Sequence, residues 1–391
     1  MGLVRTIVLI GTVVFTYALS TLDIAAKTFP SVCAAEHCVA MVDAGSTGSR
    51  IHLFAYDTQA PHQFTTIHEV YSNKIEPGLA SLDLDQSTIN AYLARLMRDL
   101  PQAKIPVYVY ATAGMRLRSR DAQQHYYAMI QQWFTQQPQW FLRDARTITG
   151  KEEATFGWLA LNYYLKTLDP GAHKPFVNLI EVGGASAQIA FPINDETGMD
   201  PNDVQELTVN DHFILLFAHS FLGLGANEVY KLANNQQACF PIGLPLANGT
   251  FGAGNADVCQ AKLGEMVGEK HHVTEVTQQA LSKNTGDQWY TVSAVSGMIS
   301  RAPFVFTSGS FSPRELLQQA DNQLCQQDYE SLANCFTQNE YIQRNCLIAS
   351  YFYGLVVHGY EFSPDQDIHY LPTYDADWTI GALLFQSDKG R

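Results

Sequence analysis

The chain has 391 residues, 46% of them hydrophobic and 12% aromatic, which is more than one core usually serves, so two lobes are expected. A formal net charge of -14 excludes the Lys/Arg-clad surface that nucleic-acid binding requires. A phosphate-bearing ligand would therefore need a divalent cation for much of its counter-charge.

At the N-terminus Arg5 is the only charge before an apolar stretch from Ile7 to Leu19. That is the length of a signal-peptide core and short for a membrane span, so residues 1–35 are expected to be an export segment, cleaved after Ser20 or after Ala35. No second apolar run of spanning length follows, so no stable membrane span is expected once the signal is removed, and the protein should be secreted or periplasmic. The seven cysteines are Cys33, Cys38, Cys239, Cys259, Cys325, Cys335 and Cys346. They form no C-x-x-C pair and match no zinc ligand spacing, which points to disulfides and an oxidising compartment. Cys239 with Cys259 would close one loop, and two of the last three another. The odd count leaves one unpaired, unless cleavage near Ala35 removes Cys33.

Further along, Val39-Ala40-Met41-Val42 reads as a strand running into Asp43-Ala44-Gly45-Ser46-Thr47-Gly48-Ser49-Arg50, and Ile51 to Tyr56 as its hairpin partner. Leu82 to Leu100 reads as a helix stopped by Pro101, Pro106 to Tyr110 as a strand, and Asp121 to Phe141 as a helix. The opening pattern then returns: Phe176 to Ile180 is a strand ending in Glu181-Val182-Gly183-Gly184-Ala185-Ser186-Ala187-Gln188, and Ile189 begins the partner strand. An acidic residue, a Gly/Ser-rich turn and a second strand in each half imply two related α/β lobes with a cleft between them. Residues 201 to 235 carry a strand and then a helix, Asn234 to Gly254 reads as an exposed loop, Asn345 to Tyr360 as an apolar helix, and Asp375 to Phe385 as a C-terminal helix that could close back on the first lobe.

In each turn, glycine and small hydroxyl residues let backbone N–H groups approach a ligand, an arrangement suited to a phosphate chain. One such turn alone would be only a hairpin connection. Two of them, each led by a carboxylate, place Asp43 and Glu181 across the cleft, where hydrated Mg²⁺ or Ca²⁺ would find oxygen ligands. Glu152 and Glu153 open a helix, where acidic residues suit the dipole; neighbours there point about 100° apart, so at most one faces the cleft. A carboxylate in that position can act as general base on water.

Asp43 to Arg50, Tyr110-Ala111-Thr112-Ala113-Gly114-Met115-Arg116-Leu117, Gly150 to Leu165 and Gly183 to Gln188 resemble the first four apyrase conserved regions, and Trp378-Thr379-Ile380-Gly381 resembles the fifth. All five stand in family order, so the chain resembles the ecto-nucleoside triphosphate diphosphohydrolases, as a secreted bacterial-type member. The resemblance implies two ribonuclease-H-like lobes of the actin and sugar-kinase superfamily, lobe I over 36–152 plus 372–391 and lobe II over 153–371. It implies hydrolysis of nucleoside tri- and diphosphates to monophosphates, dependent on Mg²⁺ or Ca²⁺, by a monomer. By the same resemblance Glu153 is the catalytic base, and Ser186 and Gln188 help hold the attacking water. Asp43 and Glu181 bind the metal through water, while Ser46, Thr47, Gly48 and Ser49 form one phosphate loop and Gly183, Gly184 and Ala185 the other. Thr112, Ala113 and Gly114 form a further side of the phosphate pocket. Arg116 and Asn162 are supporting residues, and Trp378 packs the domain interface. Two departures stand out: Glu181 occupies a position where the family usually has Asp, extending the carboxylate by one methylene, and Ala154 stands where Gly is common.

Tyr341, Tyr351 and Tyr353 are the candidates for stacking a nucleobase, although an aromatic beside an apolar helix is more often core. No Gly-x-x-x-x-Gly-Lys-Ser/Thr element occurs, which excludes a P-loop NTPase, and Gly223-Leu224-Gly225 lacks the rest of a dinucleotide fingerprint. The rival enzyme is an exopolyphosphatase-like hydrolase of the same superfamily, which shares both glycine turns but lacks the run from Thr149 to Asn162. The rival of another class is a non-catalytic nucleotide-binding protein.

Overall fold

The computed structural model describes residues 33, 37–60, 63–101, 103–210, 212–371 and 377–388, so the expected export segment lies outside the described residues apart from Cys33. The first sheet is nucleated by β1 (His37–Ala44), whose Val39 to Val42 are all buried, as befits a central strand. β1 pairs antiparallel with β2 (Ser49–Ala60) and parallel with β4 (Ile105–Ala111); β3 (Gln63–Ile75) and β5 (Trp140–Thr147) complete the order β3-β2-β1-β4-β5.

The second sheet is built from β6 (Asn178–Val182), β7 (Ser186–Pro192), β8 (Val204–Val209), β9 (His212–Leu222), β10 (Trp289–Ser293), β11 (Ser310–Phe311) and β12 (Ile368–Tyr370), in the order β11-β12-β10-β6-β7-β9-β8. Its inner five strands repeat the first sheet. β6 is antiparallel to β7, β7 to β9, and β6 is parallel to β10, which is parallel to β12. The duplicated order with the same senses makes this an α/β protein of two ribonuclease-H-like lobes, the fold class the sequence implied. Each carboxylate-led turn falls at the equivalent place, between the first two strands of its sheet.

The helices that matter below are α1 (Gln86–Leu96), α2 (Arg120–Phe134), α3 (Gly150–Tyr164), α4 (Ala226–Ala233), α5 (Ala256–His271), α6 (Ala294–Ile299), α7 (Ile342–Tyr353) and α8 (Trp378–Asp388). α3 starts at a capping box, in which Thr149 accepts from the Glu152 N–H and the Glu152 carboxylate accepts from the Thr149 N–H. Ten consecutive residues from Glu153 to Asn162 are buried, because α3 lies between the sheet strands β6, β7 and β9 on one side and α8 on the other. Phe156 stacks on Trp378 at 6.1 Å. α8 also touches β1 and β3 of the first sheet and β8 of the second, so the C-terminal helix seals both halves rather than the first alone.

Several element bounds differ from the sequence expectation. The helix expected to Phe141 ends at Phe134, because Pro138 interrupts it and Trp140 to Thr147 pairs with β4 as a strand. α1 begins only after Asp85, whose side chain caps the Thr88 N–H. Residues 201 to 235 hold two strands before their helix, and α7 starts at Ile342 and passes into a π turn over Gly354–Gly359. The segment 234–254 is loop, but Cys239 and Phe240 within it are buried, anchored by the Cys239–Cys259 disulfide to α5. Cys325 pairs with Cys346 and Cys33 with Cys38, leaving Cys335 as the free thiol of the seven. Among the described residues no helix is long and apolar enough to cross a membrane.

Candidate active site

A cavity of about 560 Å³ opens between the two hairpin turns, a size suited to a small ligand. Asp43, Glu153, Glu181 and Asp377 all line it, together with Gly45 to Arg50, Thr112, Gly183 and Gly184. The turns touch. A Cβ on Gly184 would lie 2.2 Å from the Ser46 hydroxyl oxygen and 3.0 Å from that of Thr47, so glycine here lets both hydroxyls sit against the second turn. The second turn is braced from behind: the N–H groups of Gly223, Ala226 and Asn227 donate to the carbonyls of Ala185, Gly183 and Gly184 at 2.8–2.9 Å. Gly225 sits so close to this turn that a Cβ would come 2.3 Å from the Ala185 nitrogen. The Gly223-Leu224-Gly225 run, uninformative as a dinucleotide motif, is thus what lets α4 dock on the second turn.

The paired glutamates at the head of α3 divide as helix geometry requires. Glu152 turns outward to its capping box and to Arg146, whose Nη1 and Nη2 donate at 2.8 and 2.9 Å. Glu153 turns inward, 8% exposed, and accepts from Arg116 Nη2 at 2.6 Å. Burial raises the Glu153 carboxyl above its usual range, and the Arg116 guanidinium opposes that rise. The same Nη2 lies 3.3 Å from the Ser186 hydroxyl and 3.2 Å from that of Ser220, while Nη1 donates to the Ile148 carbonyl. Gln188 donates its Nε2 to Ser186 at 2.5 Å and to Ser220 at 3.0 Å, and its Oε1 is buried with no partner. Arg116, Ser186, Gln188 and Ser220 therefore form one polar bed under Glu153. Ser186 and Gln188 are almost wholly buried and are not part of the cavity wall.

Asp43 and Glu181 are the two carboxylates at the turns. Burial raises Asp43 well above the ordinary aspartate value, and repulsion from Asp377 adds to it. Burial pushes Glu181 up to about 7, with Glu153 and Asp377 adding repulsion, although Ser293 donates to its Oε1 at 2.6 Å. The longer side chain of Glu181 fits because Gly157 on α3 leaves room: a Cβ there would stand 3.2 Å from Glu181 Oε2. Asp377 behaves oppositely. Although buried, it is held below the usual range by His52, whose Nε2 is 3.2 Å away, and by the Thr379 N–H. Burial alone would lower His52, but Asp377 and Glu69, the latter at 2.5 Å, raise it to about 9.

The remaining sequence candidates are distributed as follows. Thr112 lines the cavity; Ala113 is buried, and Gly114 packs on the Ser46 backbone. Ala185 is buried behind Gly183 and Gly184. Ser49 lines the wall and pairs with the Tyr92 hydroxyl at 2.8 Å. Trp378 lines the wall while stacking on Phe156. Asn162 is away from the cavity: its Oδ1 accepts from the Val177 N–H and from Thr167, fixing the entry to β6. Of the three tyrosines, Tyr341 lines the cavity and is 39% exposed. Tyr351 is fully buried and donates its hydroxyl to the Leu224 carbonyl, and Tyr353 is outside the wall. Neither lines this cavity, which corrects the sequence expectation: Tyr351 points into the core, and Tyr353, two residues on and so roughly 200° around α7, packs against His358.

Sequence reasoning passed over Asp377, His52, Ser220, Lys74, Asn227, Arg344 and Asn345. Asp377 had a signal, standing directly before Trp378-Thr379-Ile380-Gly381. Ser220, in an apolar strand, had only its polarity. Arg50, Lys74, Arg301 and Arg344 all line the cavity, so the protein supplies positive charge to this cleft despite its net charge of -14.

Comparison with known proteins agrees with this picture. Residues 33–240 match the model of the GDA1/CD39 (nucleoside phosphatase) family. That span is more than half of the chain, and the protein belongs to this family and is a hydrolase. Among curated relatives, the nucleoside-triphosphatase ntp-1 of Caenorhabditis elegans is 27% identical over 88% of this chain and 72% of its own. Among solved structures, a nucleoside triphosphate hydrolase of Neospora caninum superposes with a TM-score of 0.64 at 16% identity, covering 95% of this chain and 97% of that one. A Ppx/GppA family member from Aquifex aeolicus superposes at 0.54 with 13% identity, covering 90% and 98%. Both structures share the fold.

Proposed function

We propose that this protein removes terminal phosphates from nucleoside tri- and diphosphates, leaving the monophosphate, in a reaction that depends on Mg²⁺ or Ca²⁺. The observation that carries the reading is the convergence of Asp43, Glu153 and Glu181 on one cavity walled by two glycine turns. A hard divalent cation suits these residues: Asp43 Oδ1 is buried with no hydrogen-bond partner, and burial, with repulsion from Asp377 added, raises the Asp43 and Glu181 carboxyls, which nearby positive charge would counter. Asp43 and Glu181 would hold it through water. Once bound, such an ion neutralises phosphoryl charge and orients the phosphate chain.

The chain's own residues supply the rest. N–H groups and hydroxyls of residues 46–49 and the N–H of Gly184 face the phosphoryl oxygens, as preorganised donors that need no rearrangement, while the Gly183 N–H holds the turn by donating to the Ser186 carbonyl. Glu153 accepts the proton of the attacking water, and in-line displacement at the terminal phosphorus then releases phosphate with no phosphoenzyme. Arg116 counters the burial that raises the Glu153 carboxyl. Ser186 and Gln188 act on that water through the bed beneath Glu153, which their hydrogen bonds tie to Arg116 and Ser220. Tyr341, exposed on the cavity wall, stacks the nucleobase. We take lobe I as residues 36–152 with 372–391 and lobe II as 153–371.

Three disulfides support secretion or a periplasmic home, as expected of a secreted bacterial-type member, and the Cys33–Cys38 bridge supports signal cleavage after Ser20 rather than Ala35. The test is a phosphate-release panel of nucleotides and long polyphosphate, each with and without EDTA. ATP and ADP turnover lost on chelation is expected. Preference for polyphosphate, or turnover indifferent to EDTA, overturns the reading. Glu153→Gln should fold and bind nucleotide yet lose most turnover; near wild-type rates would remove Glu153 from the mechanism.

A further inference from the structure

The polar bed under Glu153 joins the two sheets. Arg116 follows β4 of the first sheet, whereas Ser186 stands on β7 and Ser220 on β9 of the second. Strand register fixes which side chains share a face: Glu181 pairs with Gln188 across β6 and β7, and Gln188 with Ser220 across β7 and β9. Directly opposite residues of antiparallel strands point to the same side of the sheet, so Glu181, Gln188 and Ser220 form a row on one face. That face carries α3. A Cβ on Gly157 would stand 3.2 Å from Glu181 Oε2, and one on Gly150 would stand 2.6 Å from the Ser220 Cβ. Gly150 and Glu153 lie three apart on one side of α3, so the helix head seats on Ser220 with Glu153 a turn further on.

Arg116 Nη2 carries two hydrogens. One meets Glu153 at 2.6 Å; the other is shared between the hydroxyl oxygens of Ser220, 3.2 Å away, and Ser186, 3.3 Å away. Gln188 Nε2 donates to the same two oxygens, but its short bond, 2.5 Å, goes to Ser186 and its longer one, 3.0 Å, to Ser220. Ser186 is thus occupied chiefly by the amide, and Ser220 offers the guanidinium the nearer oxygen. We infer that Ser220 is a positioning residue of the hydrolytic site, its hydroxyl holding the Arg116 guanidinium across the junction of the two sheets so that Nη2 stays on Glu153. Ser220 does not line the cavity, so it acts through Arg116 and not on the substrate. Without its oxygen, the second hydrogen of Nη2 is left with a Ser186 hydroxyl already taken by Gln188. Nη1 still holds the Ile148 carbonyl at 3.2 Å, and the guanidinium pivots about that bond away from the carboxylate. This inference rests on the role given to Glu153 in the reading above.

The test is steady-state kinetics of Ser220→Ala, alone and combined with Arg116→Met, on ATP and on long polyphosphate, with sites counted by substrate binding and folding followed by thermal melts. Removing one acceptor from a charged donor should lower kcat by roughly ten-fold or more and leave KM within about two-fold, since the contact serves the reacting state and not the bound substrate. On the Arg116→Met background the same change should alter kcat by less than about two-fold, because the group it acts through is gone. A role confined to fold stability would move the melting temperature and the number of binding sites, not kcat per site. Wild-type kcat in Ser220→Ala, a loss carried by KM instead, or a full repeat of the loss on Arg116→Met would each overturn the inference while the hydrolase reading stands. Turnover of polyphosphate alone would overturn the nucleotide reading, and Ser220→Ala measured on that substrate would still decide the inference. Turnover of neither would overturn both.

Discussion

Replacing Arg116 by methionine removes the cation that faces Glu153 at 2.6 Å while keeping most of the side-chain volume. Both partners are largely buried, with side chains 14% and 10% exposed, so solvent screens the pair weakly. A charge pair so close and so little screened favours the ionised carboxylate strongly. Burial already raises Glu153, and Arg116 is the group that opposes it. Without Arg116 the carboxyl rises further, so the acid limb of kcat/KM against pH should move to higher pH. Turnover at neutral pH should fall by about 10²-fold or more, the usual contribution of a general base. The assay is a full pH profile of both proteins at fixed free Mg²⁺, with thermal melts run alongside. Loss of activity with the acid limb unmoved would mean that Arg116 serves only as scaffold. A limb moved to lower pH would refute the electrostatic argument outright.

Two further outcomes follow from the same geometry. His52 is held at about 9, above its ordinary 6.5, so its contribution to stability is complete below pH 6.5 and is lost as pH rises through 9. Urea unfolding should show wild type losing up to about 3 kcal/mol across that window relative to His52→Gln; parallel pH profiles would deny the charged network with Asp377 and Glu69. Gly184→Ala forces a methyl group to within 2.2 Å of the Ser46 hydroxyl oxygen, so the Ser46 and Thr47 hydroxyls must leave their places beside the second turn. A stability loss of about 1–3 kcal/mol and at least a ten-fold fall in kcat/KM are expected, read by denaturation and phosphate release. A variant matching wild type in both would show that close contact of the turns is dispensable.

Much of the fold was legible in the residues because its signals are local. The apolar run Val39 to Val42 breaking at Asp43-Ala44-Gly45 is a strand-turn junction wherever it sits, and its return at Glu181-Val182-Gly183 announces the duplication borne out by the two sheets of matching order. Helix geometry alone required Glu152 and Glu153 to part company. The strand β3 escaped because it is an edge strand of largely polar, half-exposed residues, and β5 because the helical pattern before Pro138 overran it.

Other features needed the chain to be folded. Asp377 and His52 are 325 residues apart, and only the docking of α8 across both sheets brings them together beside Asp43. Nothing in the local pattern around Ser220 tells that it will lie under Arg116 with Ser186 and Gln188. Tyr341, Tyr351 and Tyr353 look alike in sequence, yet the pitch and docking face of α7 expose the first to the cavity and bury the second against Leu224. Residue types and spacing thus settled the strands, the turns and the carboxylates that lead them, since these depend on neighbours along the chain. Which charges meet, and which groups stay unpaired to await a ligand, depends on contacts between distant segments, and tertiary packing alone decides those.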